Sequence, residues 1–255
     1  MNILVLLKQT FDTEEKIVLQ NGQISEEGVE FVINPYDEYA VERAIRLKEE
    51  LGGEVTLLSL GPDRTESSIR TALAMGADKA VLVNDPTLFG DEFTSAKVLA
   101  ELVKEESFDL ILAGNVAVDD GSSQVPQRIS EILDIPIIGT AVKIEFDGNK
   151  VTVHRDVEGD TEILEAELPV IITAQQGLND PRYPSLPGIM KAKKKPLVRK
   201  SATDLGILLE NVAAKTDIIE TYLPPKKDAG KILSGEIKNQ ASELVELLHS
   251  EAKVI

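Results

Sequence analysis

From Ile3 to Leu133 the chain repeats one pattern, a short unbroken apolar run followed by a helix-length segment with one apolar face. An unbroken run marks a strand buried on both faces, and strands of that kind alternating with helices imply a parallel sheet wound on both sides. Ile3 to Leu7 opens the pattern. Lys16 to Ile33 interrupts it with two short alternating segments around Asn21-Gly22, a turn dipeptide that favours a hairpin. Asn34 then stands where a helix cap belongs, with Pro35 at the first helical position and Asp37 and Glu38 near the positive helix end. Ala40, Val41, Ala44, Ile45 and Leu51 form that helix's apolar face, and Gly52-Gly53 stops it. Strands follow at Val55–Leu60, Ala80–Val83 and Leu110–Ala113, with helices at about Thr65–Met75, Glu92–Lys104 and Ser123–Leu133. The expected fold is α/β, a doubly wound, mostly parallel, Rossmann-like sheet.

After Pro136 the rhythm changes. Val142–Phe146, Val151–Val157 and Thr161–Leu168 alternate apolar and polar residues, and Asp147-Gly148-Asn149 and Glu158-Gly159-Asp160 separate them, which reads as antiparallel hairpins. Pro169–Thr173 returns to a buried strand. Beyond Gly177 regular periodicity fades until a helix of about Glu236–Glu251, whose Ile237, Ala241, Leu244 and Leu248 share one face. The stretch between, with Pro181, Pro184, Pro187, Pro196, Pro224 and Pro225, has little core of its own. It either wraps its own domain or embraces a second subunit. The expected division is an α/β domain over 1–180 and an anchor loop with an extended C-terminal arm over 181–255.

Charge narrows the partners. With 27 basic against 44 acidic residues the chain carries a formal net charge of −17, and with few aromatics and no Trp it offers nucleic acid neither attraction nor stacking surface. One patch has the opposite sign: Arg182 to Lys195 holds five cations and no acid, interleaved with Tyr183, Leu186, Ile189 and Met190. Its prolines and Gly188 suit an exposed, stiffened loop better than a strand or helix. Apolar tips beside cations fit a docking surface, and equally an edge loop whose apolar residues fold back on the core. The absence of cysteine excludes disulfides, thiolate-bound metal and a thiol nucleophile. The opening residues have too short an apolar run for a signal sequence, and no run reaches membrane-spanning length, so a soluble cytoplasmic protein without direct membrane insertion is expected.

No complete catalytic constellation emerges, and no metal site is expected. His154 and His249 lack the spacing of a metal pair or a triad, and no phosphate-loop, nucleophile-elbow or G-x-G-x-x-G pattern occurs. The stretch from Gly114 through Asp119, Asp120, Gly121, Ser122, Ser123 and Gln124 does look chemical, because it follows a buried strand and opens a helix. Open parallel sheets bind ligands there, and a glycine, two hydroxyls and free helix-start amides suit a phosphate. The two carboxylates oppose a phosphate unless they point away, meet ribose hydroxyls or cap amides. The Asn34–Asp37 helix start is a second candidate wall, and is also simply a good helix start.

The residues resemble the beta subunit of the electron transfer flavoprotein family. The resemblance is carried by Asn34-Pro-Tyr-Asp37 with Ala40 and Glu42, by Thr71–Asp78, and by Ala117-Val-Asp-Asp120. It continues in the hairpin signature from Val153 through Leu164, in Pro169–Thr173, in Pro181-Arg-Tyr183, and in the run Leu186–Lys195. It implies an electron carrier, not an enzyme. The partner would be an alpha subunit that supplies most of the site for a redox-active FAD. Electrons would come from acyl-CoA dehydrogenases and pass to electron transfer flavoprotein-quinone oxidoreductase. It further implies an AMP without redox activity, held by Leu6, Asn34, Pro35, Tyr36, Asp37, Leu60 and the loop Asp119, Asp120, Gly121, Ser122, Ser123, Gln124, Val125 and Gln127. Tyr36 matches the aromatic that faces the flavin, whereas a second such aromatic falls at Thr13. Leu186 matches an exposed leucine that plugs a pocket on the dehydrogenase, with Tyr183, Pro187, Ile189, Met190 and Lys191 around it. An electron-bifurcating complex with a second FAD in this subunit is the alternative, and a stand-alone adenine-nucleotide-binding protein is a further one. The loop Asp119-Asp120-Gly121-Ser122 departs from the Asp-Gly-Asp-Thr loop of the bifurcating members.

Overall fold

A computed structural model describes residues 1–227 and 229–255; Asp228, within the expected arm, lies outside the described residues. Two compact units are present, one of Met1–Val18 with Ser25–Ile219, the other of Leu19–Ile24 with Glu220–Ile255. The arm residues 181–219 therefore belong to the larger unit.

In chain order the strands are β1 (Asn2–Leu6), β2 (Gln9–Phe11), β3 (Leu19–Gln20), β4 (Gln23–Ile24), β5 (Phe31–Ile33), β6 (Glu54–Leu60), β7 (Lys79–Val83), β8 (Leu110–Gly114), β9 (Ile137–Asp147), β10 (Lys150–Val157), β11 (Asp160–Glu167), β12 (Val170–Ala174) and β13 (Leu197–Lys200). The helices are α1 (Pro35–Leu51), α2 (Thr65–Met75), α3 (Glu92–Lys104), α4 (Val125–Leu133), α5 (Leu186–Ala192), α6 (Leu209–Val212) and α7 (Ile237–Ser250).

Nine strands of the larger unit form one sheet in the order β11-β10-β9-β12-β8-β1-β6-β7-β13. Every pairing from β9 to β13 is parallel, and β9-β10-β11 is an antiparallel meander at the other edge. The apolar runs explain the double winding. Alternate side chains of a strand point to opposite faces. Ile3 and Val5 enter one core with α1 and α2, while Leu4 and Leu6 enter a second core with α3 and α4. The same split divides Leu110 and Leu112 from Ile111. All but Leu6 are essentially inaccessible, and each contributes about 1.5–3 kcal/mol of burial.

After β1 the chain builds β6 and β7 on one side and then crosses to β8 on the other. The strand order thus reverses between β1 and β8, and a crevice opens beyond the carboxyl ends of such a pair.

Two strand pairings were not evident from sequence pattern. β2 pairs antiparallel with β5, with the Phe11 and Phe31 rings 4.9 Å apart and the Arg64 guanidinium 3.9 Å over Phe31. β13 adds a ninth strand beside β7, although it is half exposed and has no apolar rhythm.

The patch Arg182–Lys195 is corrected in part. Leu186–Ala192 is a helix, not a loop, because Ser185 accepts a hydrogen bond from the Gly188 amide (3.1 Å) and Pro187 sits in the first turn, where its missing N–H costs nothing. Gly188 is required there: a Cβ would stand 2.4 Å from the Ala74 carbonyl oxygen of α2.

In the smaller unit, Asn21 and Gly22 take positive φ in the β3–β4 turn, as the dipeptide predicts. Helix α7 buries no residue within the chain. His249 contacts the Ile255 carbonyl oxygen through Nδ1 at 2.9 Å, and in the larger unit His154 lies 3.7 Å from Glu145. No group of three or more acidic, His or Cys side chains suited to a metal ion occurs among the described residues. No helix among them is long and apolar enough to cross a membrane.

Candidate nucleotide site

A cavity of about 800 Å³ opens at the reversal point, within the usual range for small-molecule sites. Its floor is the carboxyl ends of β1, β6 and β8, supplying Leu6 to Lys8, Leu60 and Gly61, and Ala113 to Ala117. Phe89, Leu99 and Val125 add apolar surface, and Ser122, Ser123 and Gln124 bring the polar loop that leads into α4. Ala214, Thr216, Asp217 and Ile218 of the arm complete the wall.

Asn34 does not cap α1 through its side chain. Its amide instead donates to the Val116 carbonyl at 2.9 Å and to Asp37 Oδ1 at 3.0 Å, and its Oδ1 accepts from the Val118 amide at 3.2 Å. The expected cap is thus redirected across the crevice, where it pins the loop after β8.

Asp37 is the hub beneath it. It is 5% exposed, and its carboxylate accepts from the amides of Lys8 (2.7 Å) and Gly114 (2.9 Å) as well as from Asn34. One side chain at the start of α1 therefore ties the ends of β1 and β8 together. Burial pushes its pKa up to about 7 from 3.8, against the pull of those three donors. Gly114 is required by this contact, because a Cβ would lie 2.3 Å from Asp37 Oδ1 and 2.8 Å from Tyr36 Cβ.

The objection that Asp119 and Asp120 repel a phosphate is met by a residue the sequence reading passed over. The Lys8 ammonium lies 2.7 Å from a carboxylate oxygen of each. Desolvation lowers the Lys8 pKa, but pairing with both carboxylates outweighs it and holds the value above the ordinary one. Asp119 and Asp120 also accept from the Asp120 and Ser122 amides, so they cap the loop's own backbone. Gly121 and Ser123 carry the positive φ values that turn the chain into α4. Among the described residues no side chain caps the start of α4, and Pro126 has no N–H to satisfy, so this helix end is open to an anion.

The arm is latched over the far side by Asp91. Its Oδ1 caps α3 through the Thr94 amide (3.0 Å), and its Oδ2 accepts from the Lys215 (2.7 Å) and Thr216 (3.0 Å) amides. Burial opposes ionisation, but these donors prevail and hold the carboxyl well below the usual range.

Of the residues expected at a nucleotide site, Leu6, Asn34, Asp37, Leu60, Asp120, Ser122, Ser123, Gln124 and Val125 line the cavity. Pro35, Tyr36, Asp119, Gly121 and Gln127 do not, although Asp119 borders it through Lys8. Lys8, Phe89, Asp91 and the segment 214–218 were missed. Lys8 and Asp91 carry no motif, and only the tertiary fold brings them to the crevice.

The cationic patch lies elsewhere, on α2. Arg182 is fixed by the buried Glu42 (2.9 Å) and by Glu49 (2.6 Å), and Lys195 donates to the Leu73 and Ala77 carbonyls at the end of α2. Arg70 of α2 donates to the Ala192 and Lys195 carbonyls. Two of the five cations are therefore structural. Lys191, Lys193 and Lys194 are exposed and form no ion pair among the described residues. Tyr183, Leu186 and Met190 are 95%, 79% and 72% exposed, with Ile189 beside them. The apolar residues do not fold back on the core.

A doubly wound α/β unit with a crevice at its strand-order reversal belongs to the class of open parallel-sheet proteins whose ligand sites lie at that point. Residues 21–205 match the electron transfer flavoprotein domain. The chain is 55% identical over 257 residues to the electron transfer flavoprotein subunit beta of Bacillus subtilis (strain 168), covering 100% of each chain. It is 38% identical to the human subunit beta, covering 90% of this chain and 91% of that one. It is also 37% identical to the caffeyl-CoA reductase-Etf complex subunit CarD of Acetobacterium woodii, covering 95% of each. The chain belongs to the electron transfer flavoprotein family, and its full-length likeness is to the family's beta subunits.

Proposed function

We propose that this chain is the non-catalytic subunit of an electron carrier. It pairs with an alpha subunit, holds AMP in the cavity at the β1/β8 reversal, and helps to enclose the FAD that the alpha subunit binds. The observation that carries the nucleotide reading is the open start of α4 beside hydroxyls, with the neighbouring carboxylates already paired to Lys8. The apolar slot formed by Leu6, Leu60, Leu99 and Val125 suits a flat base, and the loop 119–124 suits ribose and phosphate.

FAD, when bound, supplies the redox chemistry. This chain's residues hold and orient. Tyr36, half-buried at the start of α1, would face the flavin, and the bare face of α7 would pack on the alpha subunit. The exposed Leu186 helix would receive acyl-CoA dehydrogenases, and the electrons would leave to a quinone oxidoreductase. The cytoplasm is the compartment this reading assigns.

A second reading is favoured by the similarity to the Acetobacterium subunit: a bifurcating complex in which the cavity holds a second FAD. Extracting the purified heterodimer and counting nucleotides separates the two. One FAD and one AMP per complex is the expected result; two FAD and no AMP would overturn it in favour of the second reading.

A further inference from the structure

The cavity is acidic, which is the wrong sign for a phosphate. Asp37, Asp91, Glu92, Asp120 and Asp217 all line it, and Lys8 is the one cation among its described walls. The loop cannot relieve this by swinging away. Asn34 holds it at Val116 and Val118, and the Gly121 amide bonds back to the Ala117 carbonyl at 2.9 Å. The nearby guanidinium of Arg128 is turned to Gln124 Oε1.

We propose that Lys8 sets the charge of the cavity rim, and thereby how tightly the cavity holds the phosphate of its nucleotide, by acting through Asp119 and Asp120. Lys8 is a positioning and specificity residue in this role, and its ammonium keeps both carboxylates beside the loop and offsets one of their two charges. The proposal rests on the reading that this cavity takes an adenine nucleotide. It explains how a loop with two adjacent carboxylates can stand at a phosphate site, and why a lysine at the end of β1 reaches across to the loop after β8.

The test is calorimetric titration of AMP and of adenosine into the nucleotide-depleted heterodimer. Binding of AMP by the unaltered complex tests the underlying reading alone; if AMP does not bind, that reading fails whatever Lys8 does. Given binding, Lys8→Met should weaken AMP about tenfold and adenosine less than twofold, because only AMP carries the phosphate. The rim goes from one net negative charge to two in Lys8→Met, to none when Asp119→Asn and Asp120→Asn are added, and to one positive charge in that double variant alone. AMP affinity should follow that order, tightest for the double variant, and the spread should shrink as salt rises. The asparagines retain the acceptor oxygens that the loop amides use. An Asp119→Asn/Asp120→Asn complex that binds AMP more weakly than the unaltered one overturns the proposal, even if Lys8→Met does not fold. So does a Lys8→Met loss that is equal for AMP and adenosine, or one that the asparagine pair does not restore.

Discussion

The buried carboxylate of Asp37 gives the fold a pH dependence of unusual sign. Its pKa is pushed up to about 7 by burial, from 3.8 in the open chain. Between those values the folded chain keeps a proton that the unfolded chain has released, so this group's contribution to stability falls as pH rises and levels off above about 7. The rise from 3.8 to about 7 corresponds to roughly 4 kcal/mol, of which about 2–3 kcal/mol falls between about pH 5 and about pH 8. Asp37→Asn removes the titration. Its other costs, chiefly an amide N–H turned toward the Lys8 amide, do not depend on pH. The stability gap between the natural chain and the variant should therefore move by about 2–3 kcal/mol in the variant's favour between those two pH values. Urea denaturation of the full chain at both, followed by far-ultraviolet circular dichroism at constant m, measures the gap. A gap that stays fixed to within about 0.5 kcal/mol would refute the assignment of the burial cost to Asp37.

On the proposed function, Leu186→Ala should weaken docking to an acyl-CoA dehydrogenase about ten- to a hundredfold, the scale of about 1.5–3 kcal/mol for one leucine seated in a partner pocket, with flavin content unchanged. Stopped-flow reduction with unaltered rate and saturation would contradict it. Asp91→Ala should cost about 1–2 kcal/mol by uncapping α3, and should speed amide exchange at Lys215 and Thr216, which lose their acceptor. Unchanged exchange there would dismiss Asp91 as the latch.

The parallel strands at the middle of the sheet were legible because they are buried on both faces and need no partner to announce themselves. Ile3–Leu7 and Leu110–Ala113 are unbroken apolar runs, and Thr65–Met75 and Glu92–Lys104 carry one apolar face each, so the order of apolar and polar residues gives the helix bounds and places the strands, which run Asn2–Leu6 and Leu110–Gly114, to within one residue. β13 was illegible for the opposite reason. Leu197–Lys200 lies at an edge, half in water, and only its pairing with β7 makes it a strand. The helix at Leu186 was hidden by Pro187 and Gly188, residues that disfavour a helix interior but suit a first turn and a close contact with Ala74. At the site, the strand-to-helix loop could be read because its position after a buried run is itself informative. Lys8 and Asp91 could not, since their roles depend on a side chain 111 residues away and a backbone amide 124 residues away in sequence.

The expectation that flavin content survives Leu186→Ala follows from how α2 is used. Its first residue packs against Gly61 of the cavity wall, where a Cβ on Gly61 would lie 2.6 Å from Thr65 Oγ1. Its last turn, through the Ala74 and Leu73 carbonyls, supports α5 and Lys195. Eleven helical residues span about 16 Å at 1.5 Å each, so the contact with Gly61 and the contact with Gly188 of α5 sit at opposite ends of one rod. The rod is anchored along its length by Ile69, Ala72 and Leu73, all fully buried, and Arg70 at its middle and Lys195 at its far end bond it to the chain that ends α5. Coupling between distant sites is carried by elements with two discrete arrangements, and a helix anchored at this many points resists a second one. Perturbations at Leu186 and at Lys8 share no contact and act on different ligands, so their free energies add. On the proposed function, the cationic helix would govern which protein docks, and the crevice which nucleotide stays.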